Sequence, residues 1–209
     1  MQRIPKSPIR AVLWDYGNVI VDWSPRHLYS RIINDPKRLE YFLETICPLS
    51  WHLQHDKGVP MSETIPTRQK LYPEFAVEIG LWQNRFGDMI LGLISGSGEI
   101  VHTLYKAKIP QYILSNMPTE MVDVAFNPYG LRPFFADMII SGNEKLIKPD
   151  LEIYKCALKR MGGISASEVF FIDDSAANID AAKGLGFVTH LFKNANDLQD
   201  AMIEAGLPL

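Results

Sequence analysis

The chain reads as an α/β protein, with a parallel sheet covered by helices on both faces and a helical segment inserted after the first strand. From residue 105 onward, short β-branched or aromatic runs alternate with helical stretches, as in successive βα units. An early apolar run, Ala11–Trp14, has the same character and stops on Asp15. Between these regions, residues 24–97 are helical in tone.

Taken in order, residues 11–14 form the first strand, apolar throughout as a strand buried on both faces must be. Residues 26–33, 36–46, 61–72, 74–80 and 88–93 read as helices of the insert. Pro66 weakens the third, because an interior proline removes a hydrogen bond and crowds the preceding turn. Residues 51–59, with Asp56-Lys57-Gly58, read as a loop that could face the core, and Ser95-Gly96-Ser97-Gly98 as the return hinge. Strands are expected at 111–114, 137–140, 169–172 and 188–192. Helices are expected at 119–126, 151–161, 176–185 and 195–205. The second of these is amphipathic, with Ile153, Tyr154, Ala157, Leu158 and Met161 apolar, and Gly186 stops the third. The expected division is a core of residues 1–23 and 98–209 with an insert of 24–97.

At 209 residues, 47% hydrophobic and 22% charged, the chain can bury one large core or a core and a smaller lobe. A net charge of -3 without a basic block argues against nucleic acid or an anionic membrane as partner. No apolar run approaches the roughly 20 residues of a membrane helix, and the apolar stretch that follows residues 1–10 is too short for a signal-peptide core and runs straight into Asp15. The cytoplasm is therefore the expected compartment. Cys47 and Cys156 have neither CxxC spacing nor adjacent histidines, so free thiols are expected rather than a disulfide or zinc site. Oligomeric state is not legible.

Polar groups cluster after the strand ends, where open α/β sheets bind ligands. They lie in Asp15-Tyr16-Gly17-Asn18-Val19, Leu114-Ser115-Asn116, Lys148-Pro149-Asp150 and Asp173-Asp174. Adjacent carboxylates at the mouth of a buried strand repel each other and resist desolvation. A hard cation such as Mg²⁺ relieves both, since it takes oxygen ligands. A carboxylate, a hydroxyl, an ammonium and an acidic pair together suit a phosphate held beside a divalent cation.

Each segment alone has a bland reading: an acid capping a helix, an N-cap, a solvated lysine, a pair complementing a helix dipole. Together and in this order they resemble the haloacid dehalogenase superfamily, over nearly the whole chain, with the insert matching that family's cap. The resemblance implies a Rossmann-like three-layer α/β/α core and a hydrolase acting on a small phosphorylated substrate. It implies Asp15 as the nucleophile, passing through an aspartyl-phosphate. Ser115 and the Asn116 backbone would bind phosphate, with Lys148 bridging Asp15 and the phosphate, and Asn18 is also assigned to substrate binding. Mg²⁺ would be held by Asp15, the Gly17 carbonyl and Asp174, with Asp173 a direct or water-mediated partner.

The chain departs from the family's usual Asp-x-Asp first motif, because Gly17 stands where a second Asp protonates the leaving group. The form Asp-x-Gly-Asn-Val resembles a subgroup that includes sugar-phosphate phosphatases of the alpha-glucose-1-phosphate type. Asp22, His52 and His55 are the candidates for the missing proton carrier. His52 and His55, three apart, would share a helix face, whereas His27, His102 and His190 read as surface or satisfied core residues. Trp23, Trp51 and Trp82 read as core of the insert rather than a sugar-stacking platform. The competing functions are a metal-independent 2-haloacid dehalogenase, disfavoured by Asp173-Asp174, and a catalytically impaired phosphate-binding regulator, suggested by Gly17.

Overall fold

The structure, a computed structural model, describes residues 8–209. The assignment of residues 1–7 to the core, and the signal-peptide reading there, lie outside the described residues. The chain opens with β1 (Ala11–Trp14) and β2 (Val21–Trp23). The insert follows with α1 (Pro25–Tyr29), α2 (Pro36–Tyr41) running into a π-helical turn (Phe42–Ile46), α3 (Leu49–Asp56), α4 (Met61–Leu71) and α5 (Ala76–Asn84). After β3 (Ile90–Leu93) come α6 (Ser97–Lys106), β4 (Gln111–Ser115), α7 (Val122–Phe126), β5 (Asp137–Ile140) and α8 (Ser141–Glu144). The chain ends with α9 (Leu151–Arg160), β6 (Val169–Asp173), α10 (Ala176–Gly184), β7 (Val188–Leu191) and α11 (Ala195–Glu204).

Five strands form one parallel sheet in the order β5-β4-β1-β6-β7. β1 lies at its centre, and its alternating side chains divide between two apolar clusters, as strand geometry requires. Val12 and Trp14 join the cluster that continues into the insert through Leu28, Phe42 and Trp82. Ala11 and Leu13 join the opposite cluster, built with Ile153 and Tyr154 of α9 and Ala182 of α10. Helices thus cover both faces, as expected. From β1 the chain winds outward through β4 and β5 on one side, then crosses back to β6 and β7 on the other, and this reversal opens a crevice at the carboxyl ends of β1, β4 and β6.

The expected helix at 88–93 is instead a tight turn, Phe86–Met89, followed by β3, which pairs antiparallel with β2. Gly92 is a poor helix residue, and β2 supplies the ladder partners Val21 and Asp22 for Leu93 and Gly92. The expected loop at 51–59 is largely helical, since α3 runs through Asp56. Pro66 stays inside α4 without breaking it. At the start of the insert, Ser24 and Asp35 cap α1 and α2 through their side chains, each followed by a proline whose missing N–H costs nothing at that position. Among the described residues no helix is long and apolar enough to cross a membrane.

Candidate active site

Asp15 immediately follows β1 and extends its pairing, donating its N–H to Ile172 O at 2.9 Å. Tyr16 anchors the next turn: its hydroxyl donates to Ala125 O at 2.8 Å, and its ring stacks on Phe126 with centroids 3.8 Å apart. The Tyr16 N–H in turn donates to Asp15 Oδ1 at 2.6 Å. Asn18 adopts a positive φ of 56°, and its side-chain oxygen accepts the Trp23 N–H at 3.1 Å. The loop carrying the first acid is therefore fixed at several points.

Lys148 is the electrostatic centre. Its ammonium lies 2.9 Å from Asp15 Oδ1 and 2.7 Å from Asp173 Oδ2, with the side chain only 1% exposed. Asn116 fixes its backbone by a reciprocal pair, accepting from Lys148 N–H at 2.8 Å and donating to Lys148 O at 3.0 Å. That leaves Asn116 its own N–H for a ligand. Asp173 has both oxygens engaged, because Oδ1 accepts from Ser175 N–H at 2.8 Å and from Asn178 Nδ2 at 2.9 Å. By contrast, Asp15 Oδ2 accepts no hydrogen bond among the described residues.

One ammonium faces three acids, and the titrations reflect that imbalance. Burial pushes the Asp15 carboxyl up to about 7, with Lys148 pulling it down and Asp173 and Asp174 adding to the rise. Burial, then Asp173, also raises Asp174. Burial works against a charged Lys148, but Asp15 and Asp173 beside it hold it above the usual lysine range. Oxygens of Asp15, Asp173 and Asp174 lie within 4.8 Å of one another. An all-carboxylate donor set with more negative charge than its lysine can offset fits a hard divalent cation such as Mg²⁺.

The crevice is a cavity of about 230 Å³. Asp15, Ser115 and Asp174 line it from the sheet side, and Trp23, His52 and Asp56 from the β2 and α3 side. Gly17, Asn18, Asn116 and Lys148 also reach it, while Asp173 lies behind them, fully buried. The structure thus brings together Asp15, Gly17, Asn18, Ser115, Asn116, Lys148, Asp173 and Asp174 from four separate strand ends. The candidate proton carriers fare differently. Asp22 turns to His27, 2.8 Å from its Nε2, and is not part of the cavity lining. His55 is fully buried, with Nε2 2.6 Å from Thr64 Oγ1, also outside that lining. His52 reaches the cavity, but burial, then His55, pushes its pKa down to about 3, so it carries no spare proton near neutrality. Asp56 was missed because its segment reads as a loop; the available signal was its four-residue spacing from His52, which α3 turns into one face.

Three comparisons with known proteins agree. The model of the haloacid dehalogenase-like hydrolases matches residues 9–186. A sesquiterpene phosphatase of Aspergillus oryzae is 24% identical over 86% of this chain and 87% of its own length. A phosphorylated carbohydrates phosphatase of Thermotoga maritima is 23% identical over 95% and 92%. The fold is shared with the HAD family enzyme bt-2542 of Bacteroides thetaiotaomicron, solved with magnesium and inorganic phosphate. That structure has a TM-score of 0.71 at 24% identity, covering 89% of this chain and 95% of its own.

Proposed function

Because the chain belongs to the haloacid dehalogenase-like hydrolases, we propose that it is a Mg²⁺-dependent phosphatase of small phosphorylated metabolites, sugar phosphates foremost. The observation that carries this reading is the meeting of Asp15 Oδ2, the Lys148 ammonium and the acidic cluster in one cavity. A metal-free dehalogenase has no use for that cluster, which would repel a carboxylate substrate. The carbohydrate phosphatase among its relatives supports the sugar class, and the sesquiterpene phosphatase supports an apolar phosphate ester as the second reading.

Asp15, the Gly17 carbonyl and Asp174 would hold the cation. Asp173, whose oxygens already serve Lys148, Ser175 and Asn178, would act through them or through water. When bound, Mg²⁺ supplies charge neutralisation for the phosphate and the carboxylates. Ser115 Oγ and the Asn116 N–H donate to phosphate oxygens, and Lys148 orients Asp15 while neutralising the incoming anion. Asp15 Oδ2 then attacks phosphorus in line, the ester bond breaks, and water hydrolyses the aspartyl-phosphate. Residues 24–97 act as the cap over a core formed by 8–23 and 98–209, excluding water and selecting the substrate.

A panel of phosphate monoesters assayed with Mg²⁺ or with chelator, beside Asp15→Asn, tests the reading. Turnover is expected only for the unsubstituted chain with Mg²⁺. Turnover that persists in chelator or in the Asn variant overturns it, and metal-free halide release from a haloacid replaces it with dehalogenation.

A further inference from the structure

We propose that Asp56, on α3, is the catalytic acid and base of this site, protonating the leaving oxygen and then receiving the proton of the attacking water. The inference rests on the phosphatase reading above and fills the role that Gly17 leaves vacant.

Asp56 is 5% exposed and lines the same cavity as Asp15, Ser115 and Lys148. Its Oδ1 is buried without a hydrogen-bond partner among the described residues. A buried carboxylate oxygen left unpaired is costly unless the group holds a proton or meets a ligand that donates one. The nearest polar group recorded is His52 Nε2 at 3.5 Å, too long for a good N–H···O hydrogen bond.

His52 is held so as to face Asp56 with a proton. Trp82 Nε1–H donates to His52 Nδ1 at 3.1 Å. An indole N–H can only donate, so Nδ1 is the acceptor and the proton of the neutral ring sits on Nε2. The ring is stacked on Trp23 with centroids 5.6 Å apart, which fixes its plane. His52 is thus a positioning residue, directing an N–H toward the carboxyl of Asp56. Burial pushes the pKa of Asp56 up to about 7, with the Lys148 ammonium acting against the rise. Near neutrality both forms of the carboxyl are accessible, the condition a group must meet to serve as acid and then base.

The proton balance closes. In the first step the Asp15 Oδ2–P bond forms, the bond from phosphorus to the ester oxygen breaks with its electron pair on that oxygen, and the Asp56 proton moves there. The alcohol leaves. In the second step the water oxygen bonds to phosphorus, the bond from phosphorus to Asp15 breaks with its pair on the carboxylate, and Asp56 takes the water proton. Ester and water become alcohol and phosphate, and both aspartates return to their starting forms.

The test compares alkyl phosphates, such as hexose phosphates, with 4-nitrophenyl phosphate, whose leaving oxygen departs without a proton. Asp56→Asn should lower kcat/KM, which reports only the steps through loss of the leaving group, by about 100-fold or more on alkyl esters and by less than about 10-fold on the nitrophenyl ester. A Cβ at Gly17 would meet only Trp23 Cβ, at 4.0 Å. Gly17→Asp in the Asp56→Asn background should therefore restore much of the alkyl-ester rate. Equal losses on both ester classes, a change in KM alone, or no change overturns the assignment. Should Asp56→Asn fail to fold by circular dichroism, Asp56→Glu must keep the wild-type ratio of the two rates, and a lost ratio counts against the proposal. Wild-type protein that hydrolyses neither ester removes the phosphatase reading and this inference with it. An active wild type lacking the selective loss removes the inference alone.

Discussion

At Lys148 a single ammonium offsets two buried carboxylates, so its removal does more than delete a phosphate contact. Lys148→Met leaves Asp15 and Asp173 without their shared cation. It should lower unfolding stability by about 3 kcal/mol, read as a shift in urea midpoint in metal-free buffer. Asp56 gives a different signature. Its folded pKa of about 7 stands above the ordinary aspartate value of 3.8, so the folded state binds the extra proton between those limits and stability falls as pH rises through them. Below both values the penalty is absent, and above about 7 it is complete. The groups acting on Asp56 are Lys148 and the neutral His52. Asp56→Asn should accordingly stabilise the protein at pH 8 and gain little at pH 4, as measured by denaturation across that range. The acids after β1 and β6 were legible in the sequence because strand ends announce themselves by an apolar run stopping on charge. Asp56 was not, because its meaning depends on a helix and on a lysine far away in the chain.

Among the elements, α4 carries an avoidable cost. Pro66 lies exposed in its interior, where it withholds one N–H from the helix ladder. Pro66→Ala should raise stability by about 1–3 kcal/mol, visible as a higher denaturation midpoint with turnover unchanged. The link between β3 and α6 has the opposite character. Gly96 sits at a φ of +86°, and an added Cβ would lie 2.5 Å from Ala195 Cβ. Gly96→Ala should destabilise by about 1–3 kcal/mol, on the same assay. Of the expected hinge segment, Ser95 and Gly96 form a turn, whereas Ser97 and Gly98 already begin α6. The antiparallel pair of β2 and β3 was not legible, since residues 21–23 and 90–93 are too short to show a period and acquire strand character only from each other.

For the whole molecule, the parallel core was readable because alternating βα patterning leaves few topologies open, and the sheet order then puts the ends of β1, β4 and β6 side by side. The contact between the insert and this crevice was legible only as a segment, residues 51–59, that could face the core; which of its residues line the cavity depends on the face α3 presents after folding. The acidic cluster makes a global prediction as well. A cation that binds only the folded protein adds stability by mass action, about 2.7 kcal/mol at a concentration 100 times its Kd. Mg²⁺ should therefore raise Tm, chelator should reverse the gain, and Asp174→Asn should diminish it; an unchanged Tm at saturating Mg²⁺ would count against the site.

The open space beside Gly17 also bears on descent. A scaffold with room for an acid there, while another acid reaches the same cavity from the insert, can hold both at once. A lineage can then pass from one arrangement to the other through a redundant ancestor, without crossing an inactive form.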